Sequence, residues 1–79
     1  MASAEYTNHA EWRMRERRIS KEAVEIVLKT YQISRPATRR AGEPPTVIYE
    51  GEYQGRMLKV YVERDTNPPK VRTAVWEGD

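Results

Sequence analysis

The chain has 79 residues, enough for one domain near the lower limit for folding on its own core, and no cysteine. Disulfide staples and thiolate zinc sites are therefore excluded, and a reducing compartment is compatible with the composition. Net charge is only +2, with 38% hydrophobic and 33% charged residues, so the core is small and the surface heavily solvated.

Residues 1–6 read as a loose tail or a short lead-in strand around Tyr6. No run approaches the roughly 20 apolar residues of a membrane span, and Met1-Ala2-Ser3-Ala4-Glu5 lacks the apolar stretch of a signal peptide. The expectation is a soluble, cytoplasmic chain of one domain, residues 1–79, with no membrane partner. A homodimer would supply the burial that a small domain lacks.

A first helix is predicted from His9 to Arg17, capped by Thr7 or Asn8, with Asn8 and Glu11 at capping-box spacing. His9, Arg13 and Arg17 fall four apart, each about 40° further round the barrel, beside the apolar stripe of Ala10 and Met14. Like charges at that spacing cost a few tenths of a kcal/mol, so carboxylates or a bound anion should offset them. Trp12 points away from that stripe, toward a second surface. Ser20 is an N-cap rather than a nucleophile. The second helix spans Lys21 to Lys29, with Ala23, Val24, Val27 and Leu28 as its stripe, widened by Ile26 and Tyr31. Residues 7–31 thus form a helical pair.

Gln32 to Pro45 reads as a Pro/Arg loop with Arg39 and Arg40 at its tip, allowing a brief strand at Ile33. Residues 46–77 carry strand grammar. Thr46–Glu50, a turn at Gly51–Gly55, Arg56–Glu63, and Val71–Trp76 form an antiparallel meander. Leu58, Val60 and Val62 alternate with Met57, Lys59, Tyr61 and Glu63; Val71, Thr73 and Val75 alternate with Arg72, Ala74 and Trp76. The fold class is α+β, two N-terminal helices on a three- to four-stranded antiparallel sheet.

Two surfaces carry candidate chemistry. Imidazole titrates near neutrality and guanidiniums hold phosphate in planar forks, so His9, Arg13 and Arg17 suit proton transfer and phosphate binding. The alternative is ion pairing of Arg13 and Arg17 with Glu50 or Glu63. On the sheet, Lys59, Tyr61, Arg72 and Trp76 would put cations and aromatics on one face, a combination suited to single-stranded RNA. The alternative there is an aromatic cluster or a dimer interface. Arg56 can reach either surface, and Thr73 can reach the ladder as a hydrogen-bonding partner. One histidine and no cysteine leave no metal-ligand set, and no nucleotide-cradling loop occurs, so neither metal nor cofactor is expected.

The segment His9-Ala10-x-x-Arg13-Met14-x-x-Arg17-x-Ile19-Ser20, followed by Gly55-Arg56-Met57-Leu58-Lys59-Val60 and Val71-Arg72-Thr73, resembles the small prokaryotic domains grouped as domain of unknown function 4258. The resemblance covers nearly the whole chain, with one departure. Arg18 stands where those domains commonly have glycine. Their layout is similar to the RelE-like and barnase-like toxins and ribonucleases. On that analogy the resemblance implies a metal-independent endoribonuclease or RNA-binding toxin-like protein of a toxin–antitoxin pair. Its catalytic residues would be His9, Arg13 and Arg17; its substrate-binding residues would be Lys59, Arg56, Tyr61, Arg72 and Thr73; its partners would be RNA and an antitoxin protein. The alternative is a non-catalytic RNA- or protein-binding domain, as a homodimer or alone.

Overall fold

Both helices begin on a hydroxyl. Thr7 Oγ1 accepts from the Ala10 N–H at 3.0 Å, and Ser20 Oγ accepts from the Ala23 N–H at 3.0 Å. Each bond satisfies a donor that a helix start leaves without a partner. The first cap is thus Thr7, one residue before Asn8, and the Asn8–Glu11 spacing plays no part in it. In the computed structural model, which describes residues 4–37, 42, 45–64 and 66–78, these caps open α1 (Asn8–Glu16) and α2 (Lys21–Thr30).

The joint between the helices is equally local in origin. The Ile19 N–H donates to the Met14 carbonyl at 2.8 Å and the Arg18 N–H to the Arg15 carbonyl at 3.3 Å, a Schellman ending. That ending requires a left-handed residue, and Arg18 supplies it at φ 57°. Glycine would adopt this conformation without the Cβ penalty, which accounts for its being the residue expected there. Ile19 and Met14, the two side chains such a motif brings together, are both buried.

A short strand, β1 (Glu5–Tyr6), precedes α1, and four more follow α2: β2 (Ile33–Pro36), β3 (Thr46–Tyr53), β4 (Arg56–Glu63) and β5 (Lys70–Trp76). Their order in the sheet is β1-β5-β4-β3-β2. The described sheet is therefore five-stranded and mixed, where a three- to four-stranded antiparallel one was expected. Residues 5 and 6 make the difference. They pair in parallel with Lys70 and Val71, and the Glu5 N–H donates to the Pro69 carbonyl at 2.8 Å. On the far edge, Ile33–Pro36 pairs antiparallel with β3 inside the stretch expected to be a loop. Arg39 and Arg40 lie outside the described residues.

The β3–β4 hairpin turns on two residues, Gln54 at φ 50° and Gly55 at φ 84°, the positive pair that the twist of a tight hairpin demands. The turn is shorter than the Gly51–Gly55 expectation because Gly51, Glu52 and Tyr53 continue β3. Gly51 belongs in the strand for a packing reason. A Cβ there would sit 3.2 Å from Tyr31 Cα and 3.3 Å from Val27 Cγ1, so its absence lets the end of α2 approach the sheet.

Alternation then sorts the side chains. Leu58, Val60 and Val62 face the helices and form the core with Ala10, Met14, Ile19, Ala23, Val24 and Val27. In β5 a bulge opposite Tyr61/Val62 places one extra residue, Arg72, in the strand. Val71, Ala74 and Trp76 consequently join the core, whereas Thr73 and Val75 pair across with Tyr61 and Lys59 on the other face. Simple alternation had grouped Val71 with Thr73 and put Trp76 outside. Ile26 and Tyr31, expected to widen the buried stripe of α2, are exposed. Tyr6 packs against the core with its hydroxyl 3.4 Å from a Glu25 carboxylate oxygen; burial first, and the Glu25 charge second, push its phenol above the ordinary range.

Candidate functional site

The three-residue ladder on α1 divides its work. β1 covers only the first two residues of β5, so the strand beyond Val71 runs along the sheet edge. Arg17 closes part of that edge. Its Nη1 donates to the Ala74 carbonyl at 2.8 Å and to Thr73 Oγ1 at 3.4 Å, while its own carbonyl accepts from the Trp76 indole N–H at 2.9 Å. Thr73 thus does meet the ladder, as a partner of Arg17. Arg13 pairs with Glu16 at 3.4 Å and lies over the Trp12 ring, 5.0 Å from its centroid. Neither arginine pairs with Glu50 or Glu63. His9 is exposed, its ring centroid 6.3 Å from that of Trp12. His9 and Arg13 therefore share Trp12 as a neighbour, while Arg17 is turned to β5, so the three do not converge on one point.

Convergence is found on the sheet face that neither helix covers. Cross-strand register lines up Ile33, Glu50, Lys59 and Val75 in one row, and Arg35, Ile48, Tyr61 and Thr73 in the next. A third row brings Glu63 opposite Lys70, with Arg72 turned toward it by the bulge. Side chains directly opposite on neighbouring strands stand within contact range. Across these rows four cations, Arg35, Lys59, Lys70 and Arg72, face two carboxylates, Glu50 and Glu63.

Each carboxylate is held. Arg35 Nε donates to Glu50 Oε2 at 2.8 Å, and Glu50 is 8% exposed, the one charged residue among the described buried set. Glu63 Oε2 stands 3.7 Å from Lys70 Nζ and 3.6 Å from Arg72 Nη1. Lys59 is different. It is half-buried, sits beside Glu50 in register, and forms no ion pair among the described residues. A lysine ammonium in that setting is a point charge available to an anion.

The sequence-derived site residues therefore separate. Lys59, Tyr61, Arg72 and Thr73 share the open face; Trp76 does not, being buried on the helix side, with the Arg56 guanidinium carbon 4.5 Å from its ring centroid. Arg35 and Glu50 belong to the face and were missed as site residues. The signal was present in β3, where Ile48, Glu50 and Glu52 alternate with Val47, Tyr49 and Gly51; reading Gly51 as a turn cut that pattern short. Among the described residues no three His, Cys, Asp or Glu side chains gather as metal ligands, and no helix is long and apolar enough to cross a membrane.

The family model for domain of unknown function 4258 (DUF4258) matches residues 6–76. The chain belongs to this family. No curated protein and no solved structure matches it. The DUF4258 match runs from Tyr6 in β1 to Trp76 at the end of β5, so the open face and the α1 ladder both fall within it.

Proposed function

We propose that this DUF4258 domain binds single-stranded RNA on its open sheet face and cleaves it without a metal cofactor, as the toxin of a toxin–antitoxin type pair. One observation carries the reading. Lys59, with no ion pair among the described residues, lies beside Glu50 and Tyr61 on a face where cations outnumber carboxylates. Metal-independent RNA cleavage needs a base for the 2′-hydroxyl proton, a cation for the charge on phosphorus and an acid for the leaving oxygen.

Glu50, oriented by Arg35, takes the proton from the 2′-hydroxyl as the 2′-oxygen bonds to phosphorus. Lys59 holds the phosphoryl oxygens, and the Tyr61 hydroxyl gives its proton to the 5′-oxygen as the P–O5′ bond breaks. The products are a 2′,3′-cyclic phosphate and a free 5′-hydroxyl. Arg17, committed to the β5 edge, then positions Thr73 rather than acting as a catalytic residue. His9 stands two turns up α1 from Arg17, about 12 Å along the axis, beside Trp12.

The test is RNA cleavage in EDTA, scored for cyclic-phosphate ends. Wild type should cut, and Glu50→Gln should lose roughly 10²–10⁴ in rate. Intact RNA with wild type, or equal cutting by Glu50→Gln, rejects the enzyme. His9→Ala asks a separate question: an unchanged rate removes the imidazole from the chemistry. A second reading, a non-catalytic RNA-binding domain, is favoured by the ion pairing of Glu50 and Glu63 on this face. It expects salt-sensitive binding without turnover and no growth inhibition on expression.

A further inference from the structure

Trp12 has no role in the core. Ala10 and Met14 face inward, and Trp12 between them turns to the outer side of α1, where it is 51% exposed. It is not isolated there. Arg13 lies over its ring and His9 stands beside it, so an exposed aromatic is framed by two nitrogen-bearing groups. One turn on, Arg17 touches Thr73, which sits opposite Tyr61 on the open face. Lys59 and Tyr61 thus connect through Thr73 to Arg17, and Arg13 with Trp12 lies about one turn before Arg17 on α1.

We propose that Trp12 is a nucleobase subsite: the single strand whose phosphate lies at Lys59 passes over the β5 edge, follows Arg17 and Arg13, and stacks a base on the indole. This rests on the RNA-binding reading above. An indole accepts any base because every base offers a π-face, and the guanidinium above it adds cation–π character. Trp12 and Arg17 are five residues apart, about 7.5 Å along the helix axis, so one short stretch of strand serves both. Arg17 bonds a carbonyl and a hydroxyl and no carboxylate among the described residues, so its charge is not neutralised and favours an anionic strand over an apolar protein surface, whereas Arg13 shares its charge with Glu16.

The experiment is a fluorescence titration of the full chain with a short single-stranded RNA bearing 2′-O-methyl groups, which binds without being cut. The chain has two tryptophans, and Trp76 is buried with its N–H bonded to Arg17, so quenching reports on Trp12. Wild type should show saturable quenching. Affinities of the variants, two of which lack the reporting indole, are read from the anisotropy of the same RNA carrying a fluorophore. Trp12→Ala should weaken binding roughly 5- to 100-fold with an unchanged salt slope, and Trp12→Phe should keep most of the affinity. Lys59→Ala, in contrast, should lower the salt slope by about one. Wild-type affinity in Trp12→Ala alongside weakened Lys59→Ala overturns the subsite and leaves RNA binding standing. No binding by wild type overturns both. Trp12 emission that shifts with protein concentration in the absence of RNA makes this face a contact between copies and overturns the subsite.

Discussion

The two faces of the sheet are built from the same strands and obey different rules. On the helix side Leu58, Val60, Val71 and Ala74 are fully buried, and what matters is volume. On the open side Glu50, Lys59, Glu63 and Arg72 occupy alternate positions of the same strands, and what matters is charge and its pairing. Neighbours in sequence thus have unrelated duties: Leu58 holds the fold together while Lys59 faces solvent with no ion pair among the described residues. A strand in this small domain can carry a site at little cost to stability, because the alternating register has already separated the two tasks.

The strongest break in that comparison is Leu58→Ala. Leu58 is 0% exposed on the helix side of β4, and removing its side chain leaves a cavity that the remaining side chains fill only in part. The expected loss is about 3 kcal/mol, out of a total of roughly 4–12 kcal/mol for a chain of this length. Calorimetry or circular dichroism should show the midpoint falling about 15–25 °C. A fall of only a few degrees would mean that the helix face is not the core.

Next in size is Arg17→Met, which keeps the apolar stem and removes the donor. The Ala74 carbonyl then loses a charged partner at 2.8 Å on a half-buried edge, and stability should drop by about 1–2 kcal/mol in a urea titration. The same variant separates the two views of the ladder. If Arg17 only closes the β5 edge, the destabilised protein keeps its RNA affinity within a small factor below its midpoint. If the guanidinium also meets phosphate, affinity falls and the salt slope shrinks by about one.

How much of this is legible in the sequence depends on how local each cause is. Ser20 as a cap and the alternation of Met57 to Glu63 follow from chemistry within a few residues, and the fold reproduces them. The parallel pairing of β1 with β5 joins opposite ends of the chain, and no local pattern in Glu5-Tyr6 announces it. The bulge at Arg72 is a single-residue slip that moves Trp76 from the outside to the core, since a shift of one exchanges faces. Glu50 enters the sequence reading only as a partner for the α1 arginines, for a related reason: Gly51 signals a turn by composition, and only the approach of Tyr31 shows that it is a strand residue making room. The candidate site was therefore half legible, its β4 residues by alternation and its β2 and β3 residues only by register.

A smaller change tests the local side of that account. Arg18 holds a left-handed conformation at φ 57°, which costs an L-residue about 1 kcal/mol, and glycine removes that cost while gaining freedom in the unfolded chain. Arg18→Gly should therefore stabilise by about 0.5 kcal/mol and raise the midpoint by about 2–4 °C. A lower midpoint would show that the Arg18 side chain contributes more to the joint than its backbone angle takes away.

The least change in stability is expected from Lys59→Ala, and this makes it the most discriminating against Leu58→Ala next door. Lys59 forms no ion pair among the described residues, so its truncation strands no buried charge and should move stability by no more than about 0.5 kcal/mol. Removing it also takes away the cation beside Glu50, which leaves Arg35 as that carboxylate's partner and the ion pair intact. RNA binding at low salt should nonetheless weaken, because an ammonium that meets no protein anion is the one able to displace a counterion from phosphate. If Lys59→Ala lowers the midpoint by about ten degrees or more while the RNA affinity of the folded protein is unchanged, the lysine is serving the fold, and the division of labour between the two faces does not hold at the position where it should be cleanest.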